Sequence, residues 1–291
     1  MSSFGDRVKR SAILIALSSA SLSIFLSIVM LHVALDGRAM LLFLTVMVTT
    51  LTVYGIDRWL EAWAPGRGRM ADVGSRADAL PRGPLRRWMG ALVGLYMGSL
   101  ALAALAGVWP AVLVAISPLI VLSYSKDSPL YGERFRYAIK RIPLAKDLYI
   151  AAGWTFLGPF ALIFFGRGPT AQDLAFLVLM FVKLFVMAVL YDFKDEDADR
   201  RDGTWTLQVR LGRSRSMTIL QWLNAIATVG FIGLVVGIHY TTDALVLVPL
   251  ALYQALLVPM CRAGASEWVY YGLCDLEQVV WLLALLAWRS L

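Results

Sequence analysis

The stretch 172–212 reads QDLAFLVLMFVKLFVMAVLYDFKDEDADRRDGTWTLQVRLG. Its first half is an apolar run of about twenty residues, interrupted by Lys183. Such a run is long enough to cross the roughly 30 Å hydrocarbon core of a bilayer as a helix. Inside lipid the backbone must satisfy its own polar groups, so helix is the only local solution for a run of this kind. At Tyr191 the character changes abruptly to charge. The spacing predicts a membrane helix over 172–192 with a charged segment at its end.

The rest of the chain repeats that pattern. Apolar runs recur at roughly 11–32, 39–60, 88–108, 110–124, 147–166, 216–237, 243–261 and 268–288. With 172–192 they make nine expected transmembrane helices in a single all-α unit covering 1–291. Pro110 suits a helix start, so Trp109-Pro110 is read as a tight turn between the third and fourth spans. Composition agrees. Of 291 residues, 59% are hydrophobic and 16% charged, with mean hydropathy +0.69. Soluble domains carry about 25% charged residues. A disordered chain, a fibre, a disulfide-stapled domain and most soluble enzymes are thereby excluded.

Lys and Arg number 27 against 20 Asp and Glu, a net charge of +7. The basic residues flank the apolar runs, which points to membrane topology and anionic lipid headgroups rather than to nucleic acid. The loops after the second, fourth and sixth spans are long and basic, while the opposite connections are nearly free of Lys and Arg apart from Arg38 and Arg167. Positive loops stay cytoplasmic. The expected topology therefore has a cytoplasmic N-terminus, a retained first span from Ala12 to Leu31, and insertion in the cytoplasmic membrane. Cys261 and Cys274 fit no zinc or redox spacing.

Asp192, Asp195 and Asp199 are spaced i, i+3, i+7. On a helix they fall within about 60° of one another. Three like charges on one face repel, and a hard divalent cation such as Mg²⁺ relieves that repulsion while bridging to phosphates. Glu196, Asp197 and Asp202 add to the negative field, and Arg200 and Arg201 offer donors to phosphate oxygens. A second acidic pair, Asp57 and Glu61, ends the second span at i, i+4. Carboxylates near a membrane boundary are costly unless paired or metal-bound. The two acidic sites echo one another at the ends of spans two and six. In the loop from Tyr124 to Asp147, Lys140, Arg141 and Lys146 lie at the same membrane face. They are read as diphosphate contacts, although the positive-inside rule accounts for most of the loop's charge.

These residues resemble the UbiA superfamily of intramembrane prenyltransferases. The superfamily's second motif, D-x-x-D-x-x-x-D followed by R-x-x-G-x-x-T-L-x-V-x-L-G, is matched by Asp192, Asp195, Asp199, Arg200, Gly203, Thr206, Leu207, Val209, Leu211 and Gly212. Its loop pattern is similar to Tyr124, Ser125, Lys140, Arg141, Pro143, Lys146 and Asp147. Leu80-Pro81-Arg82-Gly83 resembles the stretch before helix three. The first motif departs: where the family shows N-D-x-x-D-x-x-x-D, the chain has Val53, Tyr54, Asp57 and Glu61.

The resemblance implies nine helices around an apolar cavity and a Mg²⁺-dependent transfer of an isoprenyl group from its diphosphate to an aromatic or lipid acceptor. It implies Asp57, Glu61, Asp192, Asp195 and Asp199 as metal ligands, with Tyr124, Lys140, Arg141, Lys146 and Arg200 on the substrate. The altered first motif leaves open an intramembrane terpene cyclase of the same fold. The superfamily also includes polyprenyl-phosphate phosphoribosyl transferases. A transporter or lipid-binding protein is a rival from another class. It would use Lys183, about 13 Å deeper than Asp192, and Asp275 as pathway residues; snorkelling or pairing with another helix is an equal reading of Lys183. Gly90, Gly94 and Gly98 form a small-residue stripe, read as helix packing.

Overall fold

A computed structural model describes residues 4–63, 82–124, 142, 144–201, 205–261, 265–266, 268–274 and 276–290. Every regular element among them is helical. In chain order these are α1 (Phe4–Leu31), α2 (Gly37–Trp63), α3 (Arg82–Ala106), α4 (Val108–Tyr124), α5 (Ala145–Thr155), α6 (Leu157–Phe164), α7 (Ala171–Asp192), α8 (Glu196–Arg201), α9 (Leu207–Leu211), α10 (Arg213–Ile238), α11 (Leu247–Met260) and α12 (Glu277–Ser290). Short 3₁₀ turns fill Phe193–Asp195 and Thr242–Val246, and a π-helical turn fills Val269–Cys274.

Among the described residues, seven segments are long and apolar enough to cross a membrane, which makes the chain an integral membrane protein: Ala12–Leu31, Gly37–Asp57, Arg87–Ala106, Ala145–Phe164, Ala171–Asp195, Arg213–Ile238 and Thr242–Met260. The other two expected spans are helical but shorter, the apolar part of α4 at Val108–Ile120 and α12 with 14 residues. The turn between α3 and α4 lies at Gly107, whose φ of 141° only glycine adopts readily. That is earlier than the Trp109-Pro110 turn expected from the sequence. The expected span 147–166 divides into α5 and α6. Pro159 has no N–H for the Thr155 carbonyl and its ring crowds that carbonyl, so the helix breaks just upstream.

The first helix is the most enclosed. Most of the span Ala12–Leu31 is buried inside the bundle. It packs against α2, α6 and α12. Ser18, Ser19, Ser21, Ser23 and Ser27 are all buried on it. Small side chains let neighbouring backbones approach closely. Their hydroxyls cost little because several donate back along the helix, Ser23 to the Ala20 carbonyl and Ser27 to the Ser23 carbonyl, each at 2.7 Å. Elsewhere α5 packs on α7, α7 on α10, and α10 on α11, while α2 packs on α3 and α3 on α4. Tilted ring pairs, Phe25 with Trp281 and Phe176 with Phe231, fill the core. Leu105, Trp109, Trp222, Val229 and Leu252 point outward, as lipid-facing residues should.

Gly90, Gly94 and Gly98 do not press against another helix. A Cβ on any of them would meet nothing within 4 Å. Gly94 and Gly98 instead line an outward apolar groove of about 780 Å³ with Val48, Leu95, Leu102 and Leu105.

The bundle end away from the acidic motif is tied by side chains. Thr170 and Asp173 form a reciprocal cap on α7, and the Tyr240 hydroxyl donates to Asp173 at 2.9 Å. Burial and that carboxylate push the Tyr240 phenol well above its usual range. Arg289 on α12 donates to Asp243 Oδ2, at 2.5 Å from Nη2, and to the Ile28 carbonyl of α1 at 3.3 Å. Replacing Arg289 by Ala strands the nearly buried Asp243 carboxylate. The expected cost is about 1–3 kcal/mol, read as a lower unfolding midpoint in detergent; an unchanged midpoint would show that the latch carries no stability.

Candidate active site

The acidic end of the bundle is assembled by three short features. The first is the end of α7. Rather than running on as one helix, as the i, i+3, i+7 spacing suggested, the backbone tightens into the 3₁₀ turn Phe193–Asp195 and resumes as α8. The break has partners: Gln208 Nε2 donates to the Asp192 carbonyl at 3.1 Å, and Arg213 Nη2 to the Phe193 carbonyl at 2.6 Å. The second feature is the segment 205–212, which lies beneath the turn with Thr206, Leu207 and Gln208 buried. The third is the start of α5. Leu144 takes the left-handed conformation at φ 61°, and its N–H donates to the Trp205 carbonyl at 3.0 Å. That bond delivers Lys146, two residues on, to the end of α7.

Lys146 Nζ sits 2.9 Å from Asp192 Oδ2 and 3.0 Å from Asp199 Oδ2, and 3.3 Å from Asp199 Oδ1. All three side chains are largely withdrawn from water, with Asp192 2% and Asp199 8% exposed. Among the described residues, one ammonium thus bridges two buried carboxylates. A third lies beside them. Asp147 is wholly buried, no donor reaches either of its oxygens, and its charged neighbours include Asp192, Lys146 and Asp199. Buried carboxylates without enough positive charge are costly. Burial, opposed by Lys146 but reinforced by Asp192 and Asp195, pushes the Asp199 carboxyl up to about 6.

This donor set fits a hard divalent cation. The oxygens are carboxylate, two of the acids meet on one ammonium, and among the described residues a third buried acid lies beside them. Among the described residues no three acidic, His or Cys side chains are already gathered as a metal cage; the ammonium of Lys146 lies between two of the acids.

The chain matches the model of the UbiA prenyltransferase family over residues 71–284. The chain belongs to that family. Solved structures with the UbiA fold resemble it along almost their whole length. A UbiA homolog from Archaeoglobus fulgidus bound to DMAPP and Mg²⁺ is 15% identical, with all of both chains covered and a TM-score of 0.68. The same homolog bound to GPP and Mg²⁺ gives 0.66 at 15% identity over 98% of each chain. The apo structure of a UbiA homolog from Aeropyrum pernix gives 0.65 at 16% identity, covering 96% of this chain and 98% of that one. No protein of curated function matches the sequence.

Of the residues singled out by sequence in this UbiA-family chain, the structure brings Lys146, Asp192 and Asp199 into direct contact. Asp195 is half-buried on the 3₁₀ turn between them. Asp57 is half-buried near the end of α2. Arg200 is different: its side chain is 57% exposed and engages Glu196 one turn back, at 3.2 Å. Lys140 and Arg141, and the side chains of Glu61 and Tyr124, lie outside the described residues, as does Asp275. Asp147 entered the sequence reading as part of a loop pattern and not as a site residue. The available signal was its place beside Lys146 at the start of an apolar run, where a carboxylate is not expected without a partner.

Asp199 yields a pH test. A divalent ion held by Asp199 needs the carboxylate form. Below about 6 the group holds a proton that the ion must displace, so Mg²⁺ affinity falls as pH drops through that value, with protons released on binding. Above pH 7 this group is ionised and contributes no further dependence. Calorimetric Mg²⁺ titrations in buffers of different ionisation heat, from pH 5 to 8, read both effects; flat affinity with no proton release across that range rules Asp199 out as a ligand.

Proposed function

We propose that the chain is a Mg²⁺-dependent intramembrane prenyltransferase. It takes an isoprenyl diphosphate from the membrane and transfers the isoprenyl group to an aromatic or lipid acceptor. The observation that carries this reading is the group Asp192, Asp199, Asp147 and Lys146: three buried acids beside one lysine, among the described residues, at the end of an apolar bundle helix. Family membership supports it, as do fold neighbours described as bound to DMAPP or GPP with Mg²⁺.

Asp192, Asp195 and Asp199 would hold Mg²⁺ from α7 and α8, with Asp147 beside them, and Asp57 and Glu61 would do so from α2. When bound, Mg²⁺ supplies positive charge where the leaving diphosphate develops its own negative charge. Lys146 gives up its place between Asp192 and Asp199 and becomes a donor to phosphate oxygens. Arg200, exposed and held only by an i, i+4 pair of the weak kind, turns to the same anion. The family resemblance adds Lys140, Arg141 and Tyr124 as further contacts to the anion. The isoprenyl tail lies among apolar side chains that exclude water. The bond between carbon one and the diphosphate oxygen breaks, the electron pair leaves with pyrophosphate, and the acceptor's nucleophilic atom bonds to carbon one and loses a proton.

A second reading is favoured by the first motif. Val53 and Tyr54 stand where the family carries two oxygen ligands, which supports a differently seated diphosphate and, with it, cyclisation of the chain by its own double bond.

Expression of the wild type and of Asp192→Asn, followed by mass spectrometry of the lipid extracts, tests both. The expected result is a lipid heavier than its precursor by an isoprenoid unit, falling by about 100-fold or more in the variant. A cyclic hydrocarbon formed by purified protein from geranylgeranyl diphosphate alone would select the cyclase. Full turnover by Asp192→Asn, or by wild type in excess chelator, would remove the metal scheme altogether.

A further inference from the structure

The acidic ligands are carried on a helix that breaks in the middle of the motif, and the break is held from outside. Gly212 turns the chain at φ 81°, and the next residue, Arg213, opens α10. Its guanidinium reaches back over three separate pieces of chain. Nη2 donates to the Phe193 carbonyl at 2.6 Å. Nε donates to Glu196 Oε2 at 3.0 Å, with Nη2 2.9 Å from the same oxygen. Nη1 donates to the Cys261 carbonyl, which follows α11, at 3.3 Å. The guanidinium carbon also lies 5.2 Å from the centre of the Phe193 ring, which is almost fully buried.

These partners are the points that define the break. The Phe193 carbonyl belongs to the 3₁₀ turn, and Glu196 is the first residue of α8. Carbonyls at a helix end lack intrahelical donors and must be satisfied from elsewhere. Gln208, wholly buried, does this for the Asp192 carbonyl, and Arg213 for the next one. A 3₁₀ turn advances about 120° per residue against about 100° in an α-helix. The angle between the Asp192 and Asp199 side chains therefore depends on holding these residues in the tighter form. A planar fork with five donors is suited to that task; a lysine serves fewer acceptors at once.

We infer that Arg213 is a positioning residue: by clamping the Phe193 carbonyl, the Glu196 carboxylate and the Cys261 carbonyl together, it fixes the phase between Asp192 and Asp199 and so sets the affinity of the acidic site for Mg²⁺ and diphosphate. The inference rests on the function proposed above. Arg213 itself touches neither metal nor substrate.

The test uses the full chain in lipid nanodiscs, with geranyl diphosphate and Mg²⁺ as probes and calorimetry as readout, and with the unfolding midpoint measured without Mg²⁺. Arg213→Ala is expected to raise the Mg²⁺ concentration for half-saturation about tenfold. Arg213→Lys recovers part of that loss. Glu196→Gln, which keeps an acceptor but loses the charge, shifts it about threefold in the same direction. A residue with only a structural role would lower the unfolding midpoint and leave the half-saturation of the folded fraction where it was. Half-saturation within twofold of wild type in folded Arg213→Ala overturns the inference. If that variant does not fold, unchanged half-saturation in both Arg213→Lys and Glu196→Gln does the same. A wild type that binds no geranyl diphosphate with Mg²⁺ refutes instead the functional reading, and this inference with it.

Discussion

One ammonium between two buried carboxylates organises the acidic end of this protein. Lys146 comes from α5, Asp192 from the end of α7 and Asp199 from α8. Without the lysine, the carboxylates would face one another at the edge of the bilayer with little water to screen them, a situation that costs several kcal/mol per ion. With it, the two carboxylates share a positive charge, and Asp147, a third acid, lies wholly buried beside them. Such an arrangement is a structural joint between α5, α7 and α8. It links the loop preceding α5 to the motif that follows α7, so any ligand that draws Lys146 away acts on both.

The same electrostatic rule governs the deeper interior, with a different outcome. Lys183 is almost fully buried in the middle of α7. An ionisable group within a membrane helix must find partners inside the bundle. Lys183 donates to Asn224 at 2.5 Å and lies 3.4 Å from the Thr228 hydroxyl, both on α10. Asn224 in turn donates to the Ala251 carbonyl on α11, and Gln254 donates to the Lys183 carbonyl. Glu277, wholly buried at the start of α12, adds its charge. The result stitches α7, α10, α11 and α12 together at depth. The sequence left Lys183 open between a pathway residue and pairing between helices; its partners on the neighbouring helices fit the pairing.

Membrane helices were legible because the bilayer imposes length and apolarity on each span independently of its neighbours. The start of α2, the length of α7 and the run of α10 follow the expected spans within a few residues. The breaks were not legible in the same way. The split at Phe156 has a local cause in Pro159, which a sequence does display. The 3₁₀ turn at Phe193 has none: its carbonyl partners are Gln208 and Arg213, 16 and 20 residues on. The glycine stripe on α3 shows the opposite error, a pattern that suggests packing but faces an open groove, since periodicity says which residues share a face and not what the face meets.

The sequence by itself determined that this is a helical membrane protein and that Asp192, Asp195 and Asp199 cluster where an apolar helix ends. These are properties of short stretches, fixed by the spacing of residue types against the helical repeat and the thickness of lipid. Only the tertiary structure decided that Lys146 lies between Asp192 and Asp199, that Asp147 joins them buried, and that Arg213 holds the turn between them. Those are contacts between residues far apart in the chain, and their geometry depends on how whole helices pack, which no local pattern encodes.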